Sequence, residues 1–221
     1  ERGPQGYRLT LAGRRLAEDL APLQSAIAHL PRVLDPPHRP RVRISAGPWT
    51  AEFLARHLTA SDTWVPEIVS GEARVDLARR EADIGVRNAR PDQPWLAGQR
   101  TARITYGVFA SDPAPSGFVA TRNARAPSQQ WLRDQHGTSI VTTVSDARLG
   151  RDLALAGVGR VVLPRFAARG TALRQMGLTI DALSHDEWLV SHAEARHDPP
   201  VRAALTALTT LLTERGLRPE A

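Results

Sequence analysis

A proline-rich hexapeptide, DPPHRP at residues 35–40, divides this chain of 221 residues into two stretches of different periodicity. Three prolines in six residues disrupt helices and sheets and favour a stiff, extended linker. Before the hexapeptide, apolar residues recur at helical spacing, whereas after it short strand-like runs alternate with helical runs. We therefore predict a helical segment, a linker and an α/β domain that occupies residues 41–221.

The stretch before the hexapeptide has the pattern of one long helix over residues 10–34. Thr10 is a favourable N-cap residue, and the apolar positions that follow are spaced by four, three, four and three residues. This heptad seam consists of Leu16, Leu20, Leu23, Ile27 and Leu30. We predict that the helix pairs two copies of the chain, and packing of the seam on the chain's own body is the alternative. Pro22 predicts a kink within it.

The first part of the body reads as strand, helix, strand, helix, strand at short spacing, which favours a parallel sheet with right-handed crossovers. The predicted strands are residues 41–46, 64–69 and 82–87, the helices start at Thr50 and span residues 73–81, and a loop at 88–103 precedes a strand at 104–110.

The second part repeats the α/β pattern after a predicted loop at residues 111–127. We predict helices at 128–135 and 145–156, strands at 138–144 and 160–163, and a glycine turn at 157–159. A last strand at 188–192 and a helix ending at Leu212 could return to the first lobe. The prediction is lobe I at about 41–107 and 188–215 and lobe II at about 108–187, with a ligand cleft between them.

The composition narrows the function classes. The chain has no Cys, which removes disulfides, thiolate catalysis and Cys-based metal sites, and suits the cytoplasm. It contains no apolar run long enough to span a membrane, so we expect no membrane partner. All 29 basic residues are Arg and the net charge is +6, which favours nucleic acid or anionic ligands.

The first residues carry the pattern of a DNA-binding module's end. The run GYRLTLAGRRL, from Gly6 to Leu16, reads as a short strand that passes directly into the long helix. We predict that residues 1–9 are the remnant of the wing of a winged helix-turn-helix domain that would precede Glu1. Within it, Arg2 and Arg8 are candidates for contacts with the DNA backbone.

Several segments together resemble the LysR-type bacterial transcriptional regulators. They occur in family order and are RLTLAG, RVRISAGPWTAEFLARHL, SGEARVDLARREADIGVR, LALAGVGRVVLPRFAA and SHAEARHDPPVRAALTALTTLL. The resemblance implies a two-lobed, periplasmic-binding-protein-like (type 2) α/β effector domain after a linker helix. It also implies that linker helices pair subunits into homodimers or homotetramers, and that a small molecule in the cleft alters DNA binding by winged domains. Pro22 departs from the family pattern, as does a second lobe that is short by roughly 15 residues, about half a βαβ unit.

Candidate effector contacts fall at the ends of the predicted strands. In the family, the turn after the first strand often supplies a Ser or Thr hydroxyl, and here Trp49 and Thr50 stand nearest to it. An Arg at a strand end can grip a carboxylate, and hydroxyls at a cleft edge suit a polar ligand. The other candidates are Ser70, Arg87, Asn88, Thr142, Thr143 and Ser145. For each, a structural role as core, helix cap or surface residue is the alternative.

These residues suggest a small organic acid as the effector. The sequence has no motif that matches a dinucleotide site, a zinc site or a catalytic site. The glycines of Gly157-Val158-Gly159 lack the third glycine and the acidic partner of a dinucleotide site. His192, Glu194 and His197 lack the helical spacing of a zinc site, so we expect a solvated turn and no metal. Without a nucleophile elbow or phosphate loop, we expect neither catalysis nor a cofactor. A solute-binding protein of the same fold, without a DNA-binding role, is the alternative function.

Overall fold

The computed structural model describes residues 2–3, 6–7, 10, 12–13, 15–16, 19–20, 39–71, 77, 81–122 and 125–218. The chain divides into two compact units, residues 1–40 and residues 41–221. The boundary falls at the last proline of the hexapeptide.

The secondary structure is numbered here along the chain. The strands in the described residues are β1 (Arg2–Gly3), β2 (Gly6–Tyr7), β3 (Arg41–Ala46), β4 (Val65–Ser70), β5 (Ile84–Arg87), β6 (Leu96–Ile104), β7 (Tyr106–Ala110), β8 (Phe118–Thr121), β9 (Ile140–Val144), β10 (Val161–Pro164), β11 (Arg174–Met176) and β12 (His185–His192). The α-helices with bounds in these residues are α1 (Pro48–His57), α2 (Pro127–His136), α3 (Ala147–Leu155), α4 (Arg165–Ala168) and α5 (Pro199–Leu212).

The first unit contains a short antiparallel β1–β2 pair and helical residues after it. Residues 12–13, 15–16 and 19–20 are helical, and the Gly13 amide donates to the Thr10 hydroxyl at 3.0 Å, which confirms Thr10 as a helix cap. Leu16 and Leu20 are exposed within this unit. Arg8, Pro22, Leu23, Ile27 and Leu30 lie outside the described residues, so pairing through the seam stays a prediction.

A five-stranded sheet, in the order β4-β3-β5-β12-β6, forms the first lobe of the second unit. Strands β3, β4 and β5 are parallel, as predicted, and β12 returns antiparallel to both β5 and β6. The return of the last strand to the first lobe is thereby confirmed, although β12 begins at His185 and not at Trp188. The predicted helix at 73–81 lies outside the described residues, apart from Leu77 and Glu81.

Two predicted loops are wrong, because each contains a strand. Residues 88–103 include most of β6, a sheet-edge strand whose exposed residues are Gly98, Gln99, Arg100 and Arg103. Because buried and exposed residues do not alternate along it, the strand has no period-two pattern. Residues 111–127 include β8, whose four residues FVAT are all buried and show no alternation.

The second lobe consists of two small sheets joined edge to edge. One has the antiparallel order β10-β7-β11, and the other is the parallel pair β8-β9. They are joined where Val119 donates to the Arg160 carbonyl at 2.8 Å and Arg160 donates to the Gly117 carbonyl at 2.7 Å. The predicted turn before β10 is confirmed, with Gly157 at a φ of 78° that suits glycine.

Two helix starts differ from the predicted ones. The first-turn residue Thr50 does not cap α1, because Gly47 occupies the N-cap position and Pro48 begins the helix. Likewise, Asp146 and not Ser145 caps α3, and its carboxylate accepts the Arg148 amide at 2.8 Å.

Each lobe has its own apolar core, and Trp49 is one of the side chains that pack against both. The first-lobe core includes Ile44, Leu54 and Leu208, and the second-lobe core includes Phe109 and Leu163. Trp49, in the first turn of α1, packs against both clusters. The indole therefore fixes part of the contact between the two lobes.

Candidate functional site: the inter-lobe cleft

A cleft of about 910 Å³ lies between the two lobes of the second unit. It is lined by the ends of first-lobe strands, by the first turn of α1 and, from the second lobe, by β8, β10 and the start of α2. This volume is within the range of sites for metabolite-sized ligands.

Half of the predicted contact residues line this cleft. Trp49, Thr50, Arg87 and Asn88 are among its lining residues, whereas four others in the described part of the chain are not, namely Ser70, Thr142, Thr143 and Ser145. Thr142 pairs with Val119 of β8, and β8 lines the cleft. The hydroxyls of β9 therefore lie one strand farther from the cleft. Thr121, at the end of β8, lines the cleft instead. It was not a candidate because residues 111–127 were predicted to be a loop.

The Arg87 side chain is hydrogen-bonded to the end of β3. Its Nη1 atom donates to the Ser45 carbonyl at 3.0 Å and to the Ser45 hydroxyl at 3.3 Å. The guanidinium lies over Gly85, where an added Cβ would come within 2.7 Å of it. Glycine at position 85 therefore lets the Arg87 side chain fold back along its own strand into the cleft.

The floor of the cleft contains a buried carboxylate whose acceptor sites are all used. Glu187 Oε1 accepts from Arg218 Nη1 at 2.7 Å and from the Thr101 hydroxyl at 3.0 Å. Glu187 Oε2 accepts from Arg218 Nη2 at 3.0 Å and from the Thr50 hydroxyl at 3.3 Å. A carboxylate has about four such sites, so Glu187 has a structural role and its charge is compensated by Arg218.

Arg218 reaches this position from beyond the end of α5. Its guanidinium carbon lies 5.1 Å from the Phe53 ring centre and 4.4 Å from that of Phe166, and the side chain is 1% exposed. Sequence reasoning missed both Glu187 and Arg218, because only the tertiary fold brings positions 31 residues apart together. The RGLR end of the chain carries no motif that could have indicated the pair.

A second ion pair, which we name the interlobe clasp, joins Glu52 of α1 to Arg151 of α3 beside Trp49. Arg151 Nη1 lies 2.9 Å and 3.1 Å from the two Glu52 oxygens. The Arg151 guanidinium also lies 5.3 Å from the centre of the Trp49 ring, within cation–π range. Because α1 and α3 belong to different lobes, the clasp links the two walls of the cleft.

The N-termini of two helices, one from each lobe, also line the cleft. Both α1 and α2 are ten residues long, begin with Pro, and have no acidic residue in the first turn. Their N-cap residues, Gly47 and Ala126, have no polar side chain and line the cleft. Uncapped first-turn N–H groups and the positive end of the helix dipole both favour an anion.

Tyr106 and His185 complete the floor, with ring centres 5.9 Å apart. Burial, together with the nearby Glu187 carboxylate, raises the pKa of Tyr106 to about 12. Tyr106 was not singled out from the sequence, since it lay inside one predicted continuous strand that is in fact two.

The residues weighed for a metal site lie at the far end of β12. His192 ends the strand, its Nδ1 accepts the Glu194 amide at 3.3 Å, and His197 lies in a short 3₁₀ helix. Among the described residues, no three His, Asp or Glu side chains converge as a metal site would require. In the same residues, no helix combines the length and apolar character needed to cross a bilayer.

Solved structures share this fold at low sequence identity. The regulatory domain of CrgA, a LysR-type regulator of Neisseria meningitidis, is 18% identical with a TM-score of 0.57, over 80% of this chain and 99% of that one. A full-length OxyR variant from Pseudomonas aeruginosa is 15% identical with a TM-score of 0.59, over 96% of this chain and 83% of that one. DarR of Vibrio fischeri, solved in complex with DNA, is 15% identical with a TM-score of 0.58, over 91% and 77%.

No family model and no curated protein sequence matches the chain. The structural likeness confirms the resemblance in fold: residues 41–221 have the two-lobed, periplasmic-binding-protein-like fold of LysR-type regulatory domains. Of these proteins, CrgA is described as a transcriptional regulator and DarR as one that activates transcription.

Proposed function

We propose that this chain is the effector-sensing and oligomerisation part of a LysR-type transcriptional regulator that acts in the cytoplasm and catalyses no reaction. The observation that carries the proposal is the cleft of about 910 Å³ between the lobes of a regulatory-domain fold. A small molecule bound there would contact both lobes. It alters DNA binding only to the extent that it binds one arrangement of the protein better than another.

The electrostatics of the cleft support an organic acid as the effector. Two uncapped helix N-termini face the cleft, and Arg87 and Arg125 line it from opposite lobes. The buried carboxylate on the floor, Glu187, is already paired with Arg218. The lining arginines and the positive helix ends favour an anion.

Within this proposal, Trp49, Thr50, Arg87 and Asn88 are the effector contacts. Thr50 would offer its first-turn amide, since its hydroxyl donates to Glu187. Contacts from Ser70, Thr142, Thr143 and Ser145 remain predictions that would need a ligand extending beyond the lining residues.

The first unit supplies the proposed route to DNA. Pairing through Leu16, Leu20, Leu23, Ile27 and Leu30 would form homodimers, and further contacts homotetramers, with Arg2 and Arg8 near the phosphates of DNA bound by a winged domain. In support, residues 12–13, 15–16 and 19–20 are helical, and the Thr10 hydroxyl caps their first turn.

Titration calorimetry with a panel of aliphatic and aromatic carboxylic acids tests the proposal. We expect at least one acid to bind and Arg87→Ala to weaken its binding by about tenfold or more, because a charge-assisted hydrogen bond is lost. Arg169→Ala is the matched control, since Arg169 is exposed and lies outside the cleft lining. Binding of no acid, or equal weakening by both substitutions, contradicts the proposal.

A further inference from the structure

Tyr106 is a hydrogen-bond donor of the cleft that the protein itself leaves unused. It lines the cleft, and its ring packs against the cores of both lobes, while its main-chain carbonyl accepts from Ile180 at 2.8 Å. Within the described residues, no group donates to or accepts from its hydroxyl. The hydroxyl is not among the unpartnered polar atoms that are sealed from solvent, and Tyr106 lines the cleft.

The Glu187 carboxylate, whose charge acts on Tyr106, has no acceptor site left for the Tyr106 hydroxyl. Its two oxygens already accept from Arg218, Thr50 and Thr101, at distances from 2.7 to 3.3 Å. The His185 ring lies beside Tyr106 at a tilt of 41°, and its own Nδ1 atom is 3.0 Å from the Leu183 carbonyl. The surrounding side chains therefore fix the tyrosine ring in place and leave the O–H group for a ligand.

The state of this hydroxyl limits what it can bind. Burial and the Glu187 charge raise the pKa of Tyr106 to about 12, so the phenol is protonated at neutral pH and acts as a donor. The burial that is the main cause of this shift also disfavours a second charge beside the hydroxyl. A neutral oxygen or nitrogen acceptor suits the position better than a carboxylate does.

We propose that Tyr106 recognises a neutral hydrogen-bond acceptor on the effector. This inference rests on the proposed function, and it narrows the ligand class to organic acids that carry a second, uncharged acceptor, such as a ketone, an amide or a ring nitrogen. The carboxylate lies near the helix N-termini and Arg87, and the neutral acceptor lies at Tyr106. Tyr106 is thus a specificity-determining residue of the cleft.

Two pairs of acids that differ only in the neutral acceptor test this assignment. The pairs are 4-acetylbenzoate with 4-ethylbenzoate, and 4-oxopentanoate with pentanoate. We expect the keto member of at least one pair to bind the full chain about fivefold more tightly than its alkyl partner, the worth of one hydrogen bond. Tyr106→Phe removes this preference, because the variant lacks only the hydroxyl.

Carbon-13 labelling of the tyrosine Cζ atom gives a second readout. The chain has two tyrosines, so Tyr106→Phe and the control Tyr7→Phe assign both signals. We expect the keto acid, and not the alkyl acid, to move the Tyr106 signal, since that carbon carries the hydroxyl.

The outcomes separate the two proposals. Equal binding of both members of each pair, or a keto preference that persists in Tyr106→Phe, overturns the role of Tyr106 while the acid-binding cleft stands. If none of these acids nor any acid of the wider panel binds, the proposed function fails, and the inference that rests on it fails as well.

Discussion

Two arginine–glutamate ion pairs, the floor pair Glu187–Arg218 and the interlobe clasp, have similar N–O distances and different surroundings. Glu187 and Arg218 on the floor are 4% and 1% exposed, and two hydroxyls and two aromatic rings complete their environment. In the interlobe clasp, Arg151 and Glu52 are 10% and 13% exposed, and Arg56 shares the carboxylate from the solvent side. The floor pair is enclosed by these groups, whereas the clasp joins the two lobes and has an exposed second cation, Arg56, beside it.

The surroundings of an ion pair determine whether it can take part in sensing. A buried pair that loses one member leaves an uncompensated charge in the interior, which is costly. In the clasp, the loss of one member leaves a smaller imbalance, because Arg56 also lies beside Glu52 and Asp152 beside Arg151, and both of these are exposed. We expect the floor pair to set the stability of the domain and the clasp to set the arrangement of the lobes.

The largest expected effect is that of Arg218→Ala on stability. The substitution leaves Glu187 buried without its counter-charge and removes the cation between Phe53 and Phe166. The free energy of unfolding, measured with urea, should fall by about 3–5 kcal/mol. Arg215→Ala is the control, because Arg215 is exposed three residues earlier in the same segment. A loss of less than about 1 kcal/mol, typical of an exposed pair, would contradict a buried charge that depends on Arg218.

A smaller effect is expected from breaking the clasp. A double-mutant cycle with Glu52→Gln and Arg151→Ala should give a coupling energy of about 1 kcal/mol in urea unfolding. Both single variants should also change the affinity for the bound acid, since Trp49 beside the clasp lines the cleft. If the coupling equals that of the floor pair, or if neither variant changes ligand affinity, the distinction between the two pairs is lost.

The smallest effect concerns a third, exposed pair at the start of α3. Hydrogen bonds from Arg148 hold the pKa of Asp146 below its usual range, so the pair adds stability above the unfolded pKa of about 3.9 and loses it as pH falls further. Asp146→Ala should cost about 0.5–1 kcal/mol at pH 7, since the cap is also lost and solvent screens the pair. In urea unfolding, the gap between variant and parent should narrow at pH 3. A gap that widens there contradicts the sign of the shift.

The sequence predicted the fold where one local pattern determined the structure. The heptad spacing, the hexapeptide and the alternation of RVRISA indicated the helix start, the unit boundary and β3. Strands β6 and β8 were missed because an edge strand can be polar and a wholly buried strand need not alternate.

The candidate site was predictable only in its first-lobe half. Arg87 and Asn88 end a strand, and Trp49 and Thr50 begin a helix, so their position at a cleft follows from the rule for parallel strands. Thr121, Tyr106 and the Glu187–Arg218 pair depend on strand order and on contacts between distant segments. No local pattern carries that information.

The most direct test of the central claim is a crystal structure of the chain saturated with the acid that binds most tightly in calorimetry. The account predicts the ligand between the two lobes, with its carboxylate at the N-termini of α1 and α2 near Arg87. A ligand bound anywhere else, or one that leaves the inter-lobe cleft empty, would contradict it.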